Sequence, residues 1–245
     1  MSLFEEHRTL RAVIDSALEQ RLGEVHYDAP EAPEVGRIDL GCYAIFSGDA
    51  GNPLAAEWIA GLTPPLEIVL PDDQAWRDLV DGLLGERCSD RPMRTFALHD
   101  LDREALEALE AAAAAVPDGY RVAELDVELA RQFDDNLHPH ALRVFPSAEA
   151  LVEQGIGFAA VAPDGRVAAQ TSSYAISSER VEVAIATHPE FRRLGLARAV
   201  AAKMVLGCTE RGLRPEWSAS NPVSKRLARS LGYSPAGLCD IVFIE

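Results

Sequence analysis

The amino-acid sequence predicts an α/β (α+β) fold, in which helices flank a mixed and mostly antiparallel sheet. Apolar runs of strand length alternate with helical patterns along the whole chain, which is typical of this architecture. The segment APDGR at 162–166 joins two of these runs, and its Asp164 and Gly165 accept the backbone angles of a hairpin turn. With 245 residues, 48% of them hydrophobic, the chain can bury a full core.

The first half predicts short helices and strands in turn. The predicted helices cover SLFEEHRTLRAVIDSALEQRLG at 2–23 with Ser2 as N-cap, NPLAAEWIAGL at 52–62, DDQAWRDLVDGLLG at 72–85, and DLDREALEALEAAAAAVPDGY at 100–120, which Asp100 or Asp102 caps and Pro117 ends. The predicted strands are 37–48, 66–71 and 94–98. A soft boundary falls near 116–119, so that 1–118 form an N-terminal α/β subdomain and 119–245 form a second domain.

The second half predicts a sheet with helices between its later strands. The predicted strands cover 120–125, 156–162, 166–176, 180–187, 215–219 and 238–245, and the predicted helices cover 126–136, 147–155, 192–212 and 222–232. Since the hairpin at 162–166 joins two consecutive strands, this sheet is expected to be mostly antiparallel.

Composition limits the classes of function. A formal net charge of −16 argues against nucleic acid as a partner, because a nucleic-acid backbone requires a basic face. No apolar run is long enough for a membrane span, and the start MSLFEEHRTL lacks the order of a signal peptide, so we expect a cytoplasmic protein with no membrane partner. The four cysteines lie far apart with no CxxC spacing, which argues against a metal site and a disulfide scaffold.

Two motifs do not fit their usual structural context. GIGFAA at 155–160 matches a dinucleotide pattern, but it follows a predicted helix and opens a strand, the reverse of what that pattern requires. HPH at 138–140 offers two imidazoles without a third ligand nearby, so we predict no metal site there. Neither a GxSxG nor a GxxxxGK[ST] motif occurs, which argues against the common hydrolase and P-loop classes.

The segment THPEFRRLGLARA at 187–199 predicts an anion site. A strand ends just before it and a helix is expected to start near Arg192. The first N–H groups of a helix have no internal partner, and the helix dipole adds partial positive charge at the same end. Gly195 lets a phosphate approach the backbone, small Ala197 keeps the next turn clear, and Arg192 and Arg193 add charge. Residues 181–245 hold nine Arg and Lys against six Asp and Glu, whereas residues 1–180 hold fourteen against thirty-three.

The motif Arg192-x-x-Gly195-x-Ala197 after a strand resembles the acyl-CoA signature of the GNAT superfamily of N-acetyltransferases. A second signature follows at the expected distance in WSASNPVSKRLARSLGY, where the matching residues are Asn221, Ser224, Leu227, Gly232 and Tyr233. The two segments resemble in particular the branch with zwittermicin A resistance-type acetyltransferases. The resemblance is specific from about Tyr120 to Tyr233.

This resemblance implies the GNAT fold and acetyl-CoA as co-substrate, without a metal. The pyrophosphate would lie on the backbone N–H groups of Arg193, Leu194, Gly195, Leu196 and Ala197. The pantetheine would pair like an extra strand with AIAT, which includes Ile185, Ala186 and Thr187. The thioester would lie beside a splayed strand end, with N–H groups near Ile185 and Ala186 as oxyanion donors.

The same resemblance suggests candidates for proton transfer. Glu182 occupies a strand position where many relatives carry a carboxylate, on the side of Ala184 and Ala186, and would act as the base, through water or directly, or else be a solvated glutamate. Asn221 would contact the pantetheine or order a water, or cap a helix. Many relatives have a tyrosine acid where this chain has Ala228, so Ser224 or water would protonate the thiolate, or it would leave unassisted.

The sequence therefore predicts a single-site acetyl-CoA-dependent N-acetyltransferase that acts on a small amine, as a possible homodimer. The alternatives are a non-catalytic acyl-CoA-binding or interaction module and a protein N-acetyltransferase. The first half could be a degenerate half-copy of the same fold that supplies a wall of the acceptor site, or it could merely cover the sheet.

Overall fold

The computed structural model describes residues 3–98, 101–133 and 144–244. These residues form a six-stranded and a seven-stranded sheet with helices packed on both. The α/β class expected from the sequence is confirmed. Within this part of the chain, no helix combines the length and the apolar character needed to cross a bilayer.

The six-stranded sheet comes mainly from the first half of the chain. Its strands are β1 (Glu24–Tyr27), β2 (Val35–Leu40), β3 (Tyr43–Gly48), β4 (Leu66–Val69), β5 (Cys88–Asp90) and the late strand β13 (Ile241–Ile244). Their order is β1-β2-β3-β4-β13-β5. β3 and β4 run parallel, whereas the other neighbours are antiparallel.

The seven-stranded sheet comes mainly from the second half. Its strands are β6 (Met93–Ala97), β7 (Arg121–Glu124), β8 (Gly157–Val161), β9 (Val167–Ile176), β10 (Arg180–Thr187), β11 (Arg214–Ala219) and β12 (Ser234–Cys239). Their order is β12-β6-β11-β10-β9-β8-β7. β10 and β11 run parallel, and the other neighbours are antiparallel, as expected for a mixed and mostly antiparallel sheet.

Helices connect and cover the strands. They are α1 (Arg11–Leu18), α2 (Pro53–Ala60), α3 (Gln74–Leu84), α4 (Arg103–Ala114), α5 (Val127–Ala130), α6 (Ala148–Gln154), α7 (Leu196–Glu210) and α8 (Pro222–Ser230). The predicted cap Asp102 is confirmed, because its carboxylate accepts a hydrogen bond from the Ala105 N–H at 2.8 Å. Because parallel strands need a crossover, α2 joins β3 to β4 and α7 joins β10 to β11.

Several predicted elements are divided in the structure. The helix predicted at 2–23 is a short 3-10 turn followed by α1, because Leu10 adopts a left-handed φ of 55° between them. The strand predicted at 37–48 is the β2–β3 hairpin, which turns at Gly41 with φ +59°. A Cβ at Gly41 would collide with the Tyr174 hydroxyl, so the turn requires glycine.

The two halves exchange their last strands. β6 from the first half lies between β11 and β12, and β13 from the second half lies between β4 and β5. The single strand predicted at 238–245 is therefore two strands that belong to different sheets. The predicted boundary at 118 does not separate the two sheets, since each contains a strand from the other side of it.

The seven-stranded sheet is covered on both faces. α7 packs on β8, β9 and β10 from one side, where a Cβ at Gly207 would lie 2.7 Å from the Phe158 ring. α1, from the first half, packs on β9 and β10 from the other side. The strands in between are buried over most of their length, so functional groups can emerge only where the strands separate or end.

Candidate active site

β10 and β11 separate in the middle of the seven-stranded sheet. Their parallel pairing ends at Glu182 and Glu216. Beyond this pair, β10 continues against β9 while β11 pairs with β6. Residues 183–187 therefore present an edge without a strand partner among the described residues. The half-buried Ile185, Ala186 and Thr187 lie on this edge, so the structure places them where an extended ligand could pair with the backbone.

The loop that follows β10 contains two left-handed residues. Arg193 has φ 69° and Gly195 has φ 80°. α7 starts after this loop, at Leu196, with Gly195 as an N-cap that offers no side-chain hydrogen bond. The prediction that the helix starts near Arg192 is wrong by about one turn, because the left-handed residue at 193 interrupts the helical path.

The backbone N–H groups of the loop and of the first helical turn are available. Among the described residues, none of the five N–H groups from Arg193 to Ala197 donates to a backbone carbonyl, whereas those of Arg198 and Ala199 both bond to the Gly195 carbonyl. A run of available N–H groups at the positive end of a 15-residue helix favours an anion. The space beside the Gly195 Cα is open, with no atom within 4 Å of a Cβ built there.

Arginines surround these N–H groups. Arg192, Arg193 and Arg198 are exposed, and none of them pairs with a carboxylate within the described part of the chain. Arg192 and Arg193 directly precede α7 and Arg198 lies in its first turn, so their charges add to the positive end of the helix dipole. The loop therefore concentrates uncompensated positive charge on an otherwise acidic protein.

Glu182 is a buried carboxyl at the point where β10 and β11 separate. Only 5% of its surface is exposed, so the interpretation as a solvated glutamate is wrong. Burial, together with the negative charge of Glu216, raises the pKa of Glu182 from 4.5 to about 8, while hydrogen bonds from Ser218 act in the opposite direction. Its Oε2 has no hydrogen-bond partner within the described part of the chain. A carboxyl in this state suits proton transfer near neutral pH.

Glu216 is held beside Glu182 by the first half of the chain. One of its oxygens accepts a hydrogen bond from the Ala12 N–H at the start of α1, at 3.1 Å. The other oxygen forms an ion pair with Arg180 at 2.6 Å. These two contacts fix the position of the Glu216 side chain beside Glu182. Glu216 therefore carries the charge that disfavours ionisation of Glu182.

A small cavity lies beside Glu182. It measures about 70 Å³, and residues from both halves line it, among them Thr9, Leu10, Thr95, Glu182 and Ser218. A larger cavity of about 870 Å³ shares Thr9 with it. The larger cavity is lined by four acidic residues, Glu6, Asp72, Asp73 and Asp240, together with His7, Arg8 and Arg77.

The second motif lies at the start of α8. The Asn221 side-chain oxygen accepts the Ser224 N–H at 2.9 Å and so caps the helix. Of the two interpretations of Asn221, capping is therefore observed, and its amide nitrogen is not used in the cap. The Ser224 hydroxyl accepts a hydrogen bond from Trp217 Nε1 at 2.9 Å, which leaves the hydroxyl proton available for donation.

Ala228, at the position where the family resemblance implies a tyrosine, is part of the core. It has no exposed surface and packs in the main hydrophobic cluster with Tyr233 and Trp217. The Tyr233 ring stacks edge-on against Trp217 with centroids 5.6 Å apart, in agreement with a packing role. A tyrosine at 228 would have to displace this packing, and not merely extend towards a ligand.

The six-stranded sheet has a similar separation, between β3 and β4, but the side chain of Trp76 fills it. β3 and β4 part after Ile45 and Val69, as β10 and β11 do. Trp76 is the third residue of α3, just as Ser224 is the third residue of α8. Its side chain is fully buried, and Nε1 donates a hydrogen bond to the Gly48 carbonyl at 2.8 Å. The loop before α2 carries Asp49 in place of arginines. Sequence patterns did not identify this tryptophan.

Other contributions to the site were also missed. Glu216, Ser218 and Thr9 come next to Glu182 only through strand register and the docking of α1, and no local motif marks them. The histidines of HPH at 138–140 lie outside the described residues. Among the residues that are described, no three His, Cys, Asp or Glu side chains are arranged to hold a metal ion.

Comparisons with known proteins agree with this geometry. A family model for GNAT acetyltransferases matches residues 1–237. The uncharacterized N-acetyltransferase YdfB of Bacillus subtilis (strain 168) is 35% identical over 89 residues, which is 36% of this chain and 34% of YdfB. The chain thus aligns with about a third of that relative's length.

Two solved structures share the fold. A GCN5-related N-acetyltransferase-like protein from Streptococcus suis 89/1591 superposes with a TM-score of 0.86 at 22% identity, over 99% of this chain and 96% of that one. A GCN5-related N-acetyltransferase from Kribbella flavida superposes with a TM-score of 0.62 at 19% identity, over 97% and 96% of the two chains. At these identities the likeness concerns the fold.

Proposed function

Because the chain belongs to the GNAT acetyltransferase family, we propose that it is an acetyl-CoA-dependent N-acetyltransferase with one active site. The site lies where β10 and β11 separate, and it transfers the acetyl group directly to a small amine. The observation that carries this proposal is the run of available backbone N–H groups from Arg193 to Ala197, beside arginines that pair with no carboxylate among the described residues.

The loop and the start of α7 bind the pyrophosphate of acetyl-CoA. The five N–H groups from Arg193 to Ala197 donate to the phosphate oxygens, and Arg192 and Arg193 compensate their charge. The open space at Gly195 allows the phosphates to approach the backbone. The chain therefore supplies both the geometry and the charge that a pyrophosphate needs.

The free edge of β10 orients the rest of the co-substrate. The pantetheine arm pairs with Ile185, Ala186 and Thr187 on the side that β11 has left, and the Asn221 amide lies at the opposite rim. The N–H groups near Ile185 and Ala186 hold the oxygen of the thioester as it becomes negative. The filled gap at Trp76 in the first sheet supports a single site.

Glu182 takes the proton from the amine as its nitrogen attacks the thioester carbon. The pKa of about 8 makes this carboxylate a stronger base than a solvated glutamate. At neutral pH a substantial fraction of the Glu182 side chains is protonated and must lose this proton before it can accept one from the amine. The thiolate of CoA leaves and takes up a proton from the Ser224 hydroxyl or from water. A thiol pKa of roughly 8.5 makes it a fair leaving group even without an acid.

The acceptor amine enters from the side of the first half. The two cavities that meet at Thr9 give a path from the surface towards Glu182. The four acidic residues around the larger cavity exceed its basic residues and attract a cationic amine. Within the family, we propose the branch with zwittermicin A resistance-type enzymes, which the two motifs of the second half resemble.

The proposal is tested by a pair of glycine variants. Gly195→Glu places a negative side chain beside the bound phosphates, and we expect at least a tenfold loss of CoA affinity in calorimetry. Gly212→Glu is the matched control, because Gly212 at the other end of α7 also has a positive φ, of 69°, and open space around its Cα. Both variants introduce the same backbone strain, but only the first one lies at the proposed site.

The pair separates a binding effect from a folding effect. If Gly195→Glu remains folded and binds CoA as tightly as the Gly212→Glu control does, the phosphates do not bind at this loop and the proposal fails. If both variants lose binding together with their structure, the same comparison is made with Arg193→Glu and Arg211→Glu, which introduce no new glycine strain.

A further inference from the structure

Two polar side chains of β9 are buried without hydrogen-bond partners. Gln170 and Ser172 have no exposed surface. Among the residues that the structure describes, no hydrogen-bond partner is found for the Nε2 or Oε1 of Gln170 or for the Oγ of Ser172. A buried polar group without a partner destabilises the folded state, and most buried polar groups have one. Two such residues on one strand therefore call for an explanation.

The residues between and beside them have partners. The Thr171 hydroxyl donates to the Ala184 carbonyl at 3.0 Å, and the Ser173 hydroxyl accepts from the Ile156 N–H at 3.2 Å. Alternate residues of a strand point to opposite faces. Thr171 pairs across the strands with Phe158, whose ring lies against α7. Gln170 and Ser172 therefore point to the opposite face of the sheet.

This opposite face is also that of Glu182. Ser172 pairs directly with Ala184, and Gln170 pairs with Ala186, so each pair shares a face. Glu182 is two residues before Ala184 on β10, and the extra residue of the β-bulge lies on β9, so the alternation along β10 is kept. Gln170, Ser172 and Glu182 thus place their unpartnered polar atoms on one face beside the proposed thioester position.

The cross-strand neighbours of these side chains are small and uncharged. On β10 they are Ala184 and Ala186, and on β8 Gln170 and Ser172 pair with Ala159 and Gly157. An amide side chain offers two donors and an acceptor, and a hydroxyl offers both. None of these four cross-strand neighbours carries a charge that could compensate an ionic group, so a neutral hydrogen-bonding group is the complementary ligand.

Building on the proposed function, we infer that Gln170 and Ser172 form a specificity subsite for the acceptor. They bind a neutral hydroxyl or carboxamide group that the acceptor carries near its amine. Without such a group, binding leaves the two side chains unsatisfied, and a site built for hydrogen bonding rejects analogues that lack the bonding group. The enzyme should therefore prefer hydroxy- or carboxamide-bearing amines over alkylamines of the same size.

The test compares matched pairs of amines. Ethanolamine is compared with n-propylamine, and β-alaninamide with isopentylamine, by the melting temperature of the CoA-saturated protein and by CoA release from acetyl-CoA. We expect the polar member of at least one pair to raise the melting temperature more than its alkyl partner, with at least a tenfold preference in kcat/KM. Gln170→Met and Ser172→Ala should each remove most of this preference while raising the melting temperature of the ligand-free protein.

Thr171→Val is the matched control on the other face. It removes a hydroxyl that has a partner, so it should lower the melting temperature and keep the preference. The inference is overturned if no amine changes the melting temperature of the wild type, or if both members of every pair change it equally. In either case, ordered water is the partner of Gln170. The same holds if Gln170→Met keeps the wild-type preference.

The outcome is distinguishable from a failure of the proposed function. Polar preference in the melting experiment without CoA release from any amine would support the subsite and contradict the transferase. CoA release without a preference within the pairs would support the transferase and contradict the subsite.

Discussion

Replacing Glu182 with glutamine should change how the stability of the protein depends on pH. The pKa of Glu182 is about 8 in the fold, mainly because of burial and secondarily because of Glu216, against 4.5 for an unperturbed glutamate. The unfolded chain therefore ionises this group at lower pH than the folded chain does. Below about pH 4.5 the carboxyl is neutral in the folded and in the unfolded chain, so the difference in pKa does not change the free energy of unfolding. Between about pH 4.5 and 8, unfolding releases its proton, so stability falls as the pH rises.

The size of the effect follows from the difference between the two pKa values. Each pKa unit corresponds to about 1.4 kcal/mol, so a difference of about 3.5 gives a cost of ~5 kcal/mol above pH 8. Glutamine cannot ionise and does not carry this cost. The free energy of unfolding of Glu182→Gln, relative to the wild type, should therefore increase by about 1.4 kcal/mol for each pH unit between pH 5 and 8 and then level off.

Urea unfolding followed by tryptophan fluorescence measures this difference, since Trp76 and Trp217 are both buried. Curves are recorded for the wild type and for Glu182→Gln at pH 5.5, 6.5, 7.5 and 8.5. Glu153→Gln is the control for the loss of one carboxyl group, because Glu153 is an exposed glutamate on α6. If the two stability curves run parallel from pH 5.5 to 8.5, Glu182 titrates like a solvated glutamate and the reasoning is refuted.

Two further substitutions test the surroundings of the site. Glu216→Gln removes the charge that raises the pKa of Glu182, so the pH at which kcat/KM reaches half its maximum should fall; an unchanged pH profile would mean that the two carboxyls do not interact. Ala228→Tyr adds a ring at a fully buried position, and overpacking of this kind costs about 1–3 kcal/mol or more. The melting temperature should therefore fall by about 5 °C with no gain in turnover, whereas a stable variant with tenfold higher turnover would indicate that the ring reaches the active site.

Local patterns in the sequence carry much of the proposed co-substrate site. The succession of strand, glycine-containing loop and helix from Arg180 to Glu210 is contiguous, and hydrophobic periodicity and turn residues can indicate such a unit. The start of α7 was misplaced because the arginine at 193 takes a left-handed conformation, which side-chain patterns do not reveal for a non-glycine residue.

Local sequence patterns do not show which distant segments of the chain lie next to each other. The negative charge next to Glu182 is that of Glu216, which the register of β10 and β11 places there. The burial of Glu182 depends on α1 and β6 from the first half. The exchange of β6 and β13 between the sheets also has no local signal, since each strand has an ordinary strand sequence. Trp76, which fills the gap of the first sheet, appears in the sequence as one more apolar residue of an amphipathic helix.

Turnover by the wild type and by Glu182→Gln tests the central claim most directly. CoA release and the acetylated product are measured with acetyl-CoA and a panel of small amines from pH 6 to 9, with CoA affinity measured alongside by calorimetry. We expect wild-type turnover to rise up to about pH 8, and Glu182→Gln to be roughly 10²-fold slower at unchanged CoA affinity. Wild-type protein that releases no CoA with any amine, or a variant within about threefold of the wild type, would contradict the assignment of this carboxyl as the base of an acetyltransferase.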